Sequence, residues 1–119
     1  MRLDKRVHGE VVVITVDGAL DSGTASGVQA DLERLMPDRG QILIDLSQTD
    51  YMSSAGLRVL LLAHRRAQGT GARITLAGLN PEVREVMSAT GFLGFFEVCD
   101  TVEEAMGALS GTAVEERAR

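Results

Sequence analysis

Val11-Val12-Val13-Ile14-Thr15-Val16 is a nearly unbroken run of β-branched side chains, closed by Asp17-Gly18. Branching at Cβ stiffens χ1 and suits a pleated surface, and a run without polar alternation reads as a buried strand. Such a strand needs neighbours on its edges and cover on its faces. Ile42-Leu43-Ile44 supplies a second buried strand, with Asp45 at its end. Ile74 and Leu76 alternate with Thr75 and Ala77 in a third, and Phe95 to Val98 gives a short last one. Upstream, Leu3 to His8 forms a hairpin partner for the first run, with His8-Gly9-Glu10 as the turn.

Helical spacing fills the gaps. Ala25, Val28, Leu32 and Leu35 predict a helix from about Thr24 to Met36, stopped at Pro37-Asp38-Arg39-Gly40. Leu57, Leu60, Leu61 and His64 share one face of a helix from about Ser54 to Gln68, closed by Gly69-Thr70-Gly71. Asn80-Pro81 opens a third helix, with Val83, Val86 and Met87 inward and Gly91 at its end. Thr101-x-x-Glu104 is a capping-box pattern for a fourth, with Val102, Ala105, Met106 and Leu109 inward. The order β-β-α-β-α-β-α-β-α predicts a single α/β domain over residues 1–110, with a central sheet under helical cover. Residues 111–119, small and charged, read as a frayed tail.

The chain of 119 residues carries 12 Lys+Arg against 17 Asp+Glu, a net charge of −5. That balance excludes a basic nucleic-acid face and argues against an anchor on anionic lipid. With no Trp, one Tyr and three Phe, there is no base-stacking platform either. The single Cys99 can form neither an internal disulfide nor a thiolate zinc cage, and His8 and His64 match no metal spacing. No apolar run approaches the roughly 20 residues of a membrane span, and the polar N-terminus does not resemble a signal peptide. These features point to a cytoplasmic domain without cofactor, metal or membrane.

Motifs for catalysis are missing. No G-x-S-x-G elbow surrounds Ser53 or Ser54, no Walker A spacing occurs, and Gly18, Gly23 and Gly27 do not spell a dinucleotide fingerprint. Glu82/Glu85 and Glu103/Glu104 sit in first helical turns, where carboxylates complement the helix dipole. A small hydrolase using Ser54 would lack a visible base. Attention therefore falls on two strand-to-helix loops rich in hydroxyls and carboxylates, Gly18 to Thr24 and Ser47 to Ser54. In a parallel sheet, function gathers where strands end and helices begin. In Asp50-Tyr51-Met52-Ser53-Ser54-Ala55-Gly56-Leu57, Ser53 reads either as an N-cap or as part of a modification site. A helix start offers free amides and partial positive charge, and so tolerates a phosphate.

The segment ILIDLSQTDYMSSAGLRVLLLAHRRA resembles the central signature of STAS domains, the anti-sigma factor antagonists, and GALD at Gly18 to Asp21 is similar to their first-loop motif. The resemblance runs along about residues 3–110 and implies a mixed central sheet without catalytic activity. It also implies partner switching. Such an antagonist binds an anti-sigma factor serine kinase when unmodified, is released by phosphorylation, and is restored by a metal-dependent serine phosphatase. By motif position the acceptor is Ser54, and Asp21 is the loop aspartate beside it. Two positions depart from the common pattern: Ser53 stands where many members carry Asp, and Ala55 where many carry a second Ser. Ser53 is then a minor rival acceptor.

On this reading the docking patch is neutral to acidic and built of small side chains. Ser22, Thr24, Ser53, Ser54 and Gly56 let a partner's backbone approach closely. Leu57, where exposed, adds an apolar anchor, and Asp21 and Asp50 place like charge near an added phosphate. Arg58, one helical turn beyond Ser54, pairs with a phosphate or an acidic group, or is simply solvated. Arg65-Arg66 reads as a solvated face, and Asp45 as a residue that bonds loop amides. Two other outputs share the motif: a STAS module acting on a secretion system, cyclase or phosphatase cascade, and a non-phosphorylated subunit of a lipid-transport complex.

Overall fold

The structure, a computed structural model, describes residues 1–109. The tail expected over 111–119 lies outside the described residues. Strand β1 (Arg2–His8) and β2 (Val11–Asp17) form the antiparallel hairpin, with Leu3 opposite Val16 and Val7 opposite Val12. Then follow α1 (Ala25–Leu35), β3 (Gly40–Asp45), α2 (Ser54–Thr70), β4 (Ala72–Ala77), α3 (Pro81–Ala89), a 3₁₀ turn at Phe92–Phe95, and β5 (Glu97–Cys99). A helix at 102–109, here α4, closes the described chain. The sheet order is β1-β2-β3-β4-β5, and every pair after the hairpin is parallel.

That order decides where the helices go. Each parallel strand is added on the same side of its predecessor, so crossovers of one hand lay every connecting helix on one face. The packing agrees. Val28 and Leu32 of α1, Leu57, Leu60 and Ala63 of α2, and Val83 and Met87 of α3 share one core with Ile14, Val16, Ile42, Ile44, Ile74 and Leu76. The alternate strand residues Val11, Val13, Leu43 and Ala77 point to the other face. There they meet Ala105 of α4, which follows the last strand and is free to cross over. Both faces of β3 are therefore buried, as its unalternating apolar run requires.

The last strand differs from expectation. Phe92–Phe95 winds into a 3₁₀ turn, and β5 begins only at Glu97. Apolar runs of this length fit a buried turn as well as a strand. Here Phe92, Leu93 and Phe96 pack on the main core while Phe95 stays exposed. The helix ends follow their chemistry: α2 closes on Gly71 at φ +95°, and Asn80 caps α3.

Candidate functional site

Three loops leave the carboxyl ends of β2, β3 and β4, and backbone hydrogen bonds tie them together. Leu20 and Met52 form an isolated parallel bridge. The Leu20 amide donates to the Tyr51 carbonyl at 2.9 Å, and the Ser53 amide donates to the Leu20 carbonyl at 2.9 Å. Below this bridge, the Gly18 amide donates to the Gln48 carbonyl at 3.1 Å. The Thr49 hydroxyl, fully buried, donates to the Val16 carbonyl at 2.8 Å. From the third loop, Asn80 Nδ2 donates to the carbonyls of Thr49 and Asp50 at 3.3 and 3.2 Å. The rim is thus a pinned surface rather than three free loops.

Asp21 and Asp45 spend their carboxylates on local order. Asp21 Oδ1 accepts from the Gly23 and Thr24 amides at 2.9 and 3.1 Å, holding the loop before α1. Asp45 Oδ1 accepts from the Ser47 amide at 2.9 Å and the Ser47 hydroxyl at 2.6 Å. The expected loop role of Asp45 therefore holds. The Thr24 hydroxyl donates to the Ala19 carbonyl at 2.9 Å and accepts from the Asp21 amide at 3.0 Å, so it faces its own loop. Thr24 itself is half-buried next to the exposed Ser22 and Gly23.

The first turn of α2 has an inner and an outer side. On the inner side, Leu57 is 2% exposed and belongs to the main core, so it offers no apolar anchor. Gly56 is buried too. A Cβ there would lie 2.5 Å from the Leu20 carbonyl oxygen and 2.7 Å from Leu20 Cγ. Its small size serves the approach of α2 to the loop that carries Leu20, not the approach of a partner. Helical spacing carried this signal, since Leu57 shares a face with Leu60.

On the outer side, Ser54 and Arg58 are exposed, with Ser22 and Asp50 exposed on the adjoining loops. Arg58 forms no ion pair with another described residue. Ser53 and Ser54 have opposite surroundings despite being neighbours. Ser53 stands at the N-cap but makes no capping bond, and its Oγ is buried without a hydrogen-bond partner among the described residues. No acidic residue follows in the first turn of α2. Its leading amides, which have no partner within the helix, thus have no side chain capping them. Sequence reasoning missed Tyr51. It is 53% exposed, on the same rim and between the carbonyl contact of Asp50 and the buried Met52.

Among the described residues, no cluster of His, Cys, Asp and Glu could hold a metal ion, and no helix is long and apolar enough to cross a membrane. The family model described as STAS domain matches residues 2–105. A Bordetella bronchiseptica protein assigned as an anti-sigma factor antagonist, BtrV, is 35% identical over 100 residues, covering 82% of this chain and 85% of that protein. Among solved structures, an anti-sigma factor antagonist from Mycobacterium paratuberculosis superposes with a TM-score of 0.78 at 24% identity, covering 92% of this chain and 93% of that one. The Bacillus cell-fate determinant SpoIIAA, solved in its phosphorylated form, gives a TM-score of 0.62 at 22% identity, covering 90% and 98%.

Proposed function

Because this chain belongs to the STAS-domain family, whose antagonist members are non-catalytic regulatory proteins, we propose that it is an anti-sigma factor antagonist switched by phosphorylation of Ser54. One observation carries the reading: an exposed hydroxyl opens an uncapped helix of 17 residues on a pinned rim, beside a second hydroxyl that is buried. A kinase reaches the first and not the second. Unmodified, the rim of Ser22, Ser54, Asp50 and Arg58 docks an anti-sigma factor serine kinase, and the sigma factor is set free. The kinase then transfers a phosphoryl group from ATP to Ser54 Oγ.

The added group brings about −1.5 to −2 charges. The open amides of the first turn and the helix dipole stabilise it on this protein. At the interface it has to shed its water on the side of Asp21 and Asp50, where the partner was built to receive a neutral hydroxyl, and an uncompensated charge in a desolvated contact costs several kcal/mol. A loss of about 3 kcal/mol is roughly a hundredfold in affinity, enough to exchange partners. A metal-dependent serine phosphatase returns the protein to its binding form. Both partners are soluble proteins of the cytoplasm, and neither nucleic acid nor membrane takes part.

The test mixes the protein with ATP and the anti-sigma factor kinase encoded in the same genome, then maps the added mass. Phosphate on Ser54, with kinase binding kept in Ser54→Ala and reduced about a hundredfold in Ser54→Asp, is the expected pattern. Phosphate on another residue, or full binding by Ser54→Asp, refutes the gate.

A further inference from the structure

Tyr51 is the only tyrosine in the chain, and 53% of it is exposed. Nothing about its surroundings makes that exposure accidental. Its own carbonyl accepts from the Leu20 amide, the preceding Asp50 carbonyl accepts from Asn80 Nδ2, and the following Met52 is 3% exposed in the core. The backbone is therefore fixed on both sides, and the ring is held out from a rigid rim. An aromatic ring on a fixed backbone buries a large area on contact and has only two side-chain torsions to immobilise. Such rings dominate the energetics of protein interfaces.

The charge around it defines what can receive it. Asp17 and Asp50 are exposed on this edge and Asp21 is half-exposed beside the Leu20–Met52 bridge that adjoins Tyr51, so these carboxylates outnumber the exposed cation of the rim, Arg58. A complementary partner offers an apolar slot for the ring, bordered by Lys or Arg side chains. We infer that Tyr51 is the principal anchor of the docking surface, seated in a basic-rimmed apolar slot of the same serine kinase that modifies Ser54. This inference rests on the switch proposed above, and adds to it the residue that holds the unmodified complex together. The ring supplies affinity, and the phosphate, three residues along the chain, removes it because its hydrated bulk does not fit where the Ser54 hydroxyl met the partner.

The experiment uses the purified kinase as probe, with three variants and one label. Tyr51→Ala weakens kinase binding at least tenfold, while Tyr51→Phe, which keeps the ring, weakens it less than threefold. Unchanged thermal melting of both shows that an exposed side chain was removed without loss of fold. As the sole tyrosine, Tyr51 can be replaced by 3-fluorotyrosine to give a single ¹⁹F resonance. That resonance shifts on adding kinase and returns when Ser54 is phosphorylated. Wild-type affinity in Tyr51→Ala, or an unmoved resonance in the bound state, overturns the anchor. With Ser54→Asp still releasing the kinase in that case, the switch itself stands. Should Ser54→Asp bind fully as well, the fault lies in the switch.

Discussion

At the start of α3 the Asn80 side-chain oxygen accepts from the Val83 amide at 2.8 Å, Pro81 removes a donor, and Glu82 adds negative charge to the first turn. At the start of α2 the corresponding Ser53 hydroxyl makes no such bond, no proline follows, and no acidic residue enters the first turn. Both helices rise from the same edge of the same sheet. One start is closed by its own residues, and the other is left open. A closed start contributes about 1 kcal/mol to stability and has nothing left to offer a ligand. An open start forgoes that and keeps its amides and its dipole available. Asn80 also serves its neighbour, since its other side-chain atom holds the Thr49 and Asp50 carbonyls in the loop that leads into α2. The closed helix thereby stiffens the approach to the open one.

The largest effect is expected where the open start is seated against the sheet. Gly56→Ala should destabilise the fold by roughly 2 kcal/mol in urea unfolding, the upper end of an overpacking cost less the gain in propensity. Alanine gains about 1 kcal/mol of helix propensity over glycine. Against that, the new methyl group would sit 2.5 Å from the Leu20 carbonyl oxygen. That oxygen cannot yield cheaply, because it accepts from the Ser53 amide. Overpacking against fixed atoms costs about 1–3 kcal/mol and occasionally more. The clash outweighs the propensity, and the shift should also break the Leu20–Met52 bridge. A variant as stable as wild type would mean that α2 does not rest on Leu20.

A smaller effect is expected at the closed start. Asn80→Ala loses the cap and both bonds to the neighbouring loop, for about 1–2 kcal/mol. Its signature is local. The Leu20 and Ser53 amides, which form the bridge beside that loop, should exchange with solvent faster while the core amides of β3 keep their relative protection. Uniform loss of protection would assign Asn80 to α3 alone and separate the two starts.

Most of the fold could be read in the chain because it rests on periodicity. The β-branched run of β2, the Ile42–Ile44 core of β3 and the i, i+3 spacing of α2 each admit one regular structure. Phe95–Val98 failed because FLGFF has no period to read, and the winding of Phe92–Phe95 was decided by which rings reach the core. At the site, sequence located the rim but not its inside and outside. Ser53 and Ser54 are chemically identical, and only the direction each faces at the turn into α2 separates them. Gly56 read as an opening for a partner because a small residue gives no sign of which backbone approaches it. Tyr51 passed unnoticed because its alternation with Met52 marks one residue in and one out, without marking which way a loop turns.

The finest test of the two starts is Ser53→Ala, where the sign itself is at stake. Replacing a serine N-cap by alanine ordinarily costs about 0.5–2 kcal/mol, because a capping bond is lost. Here there is no capping bond to lose. The hydroxyl is buried without a partner among the described residues, a situation that costs about 1–3 kcal/mol relative to a satisfied group. Deleting Oγ removes that cost and leaves a gap of a single atom. Ser53→Ala should therefore leave the protein equally stable or up to about 1 kcal/mol more stable, with the same denaturant slope, and Ser54 should still take one phosphate. A loss of 1 kcal/mol or more would show that in solution the hydroxyl turns to cap α2. The two starts would then be alike, and the amides assigned to the phosphate would already be taken.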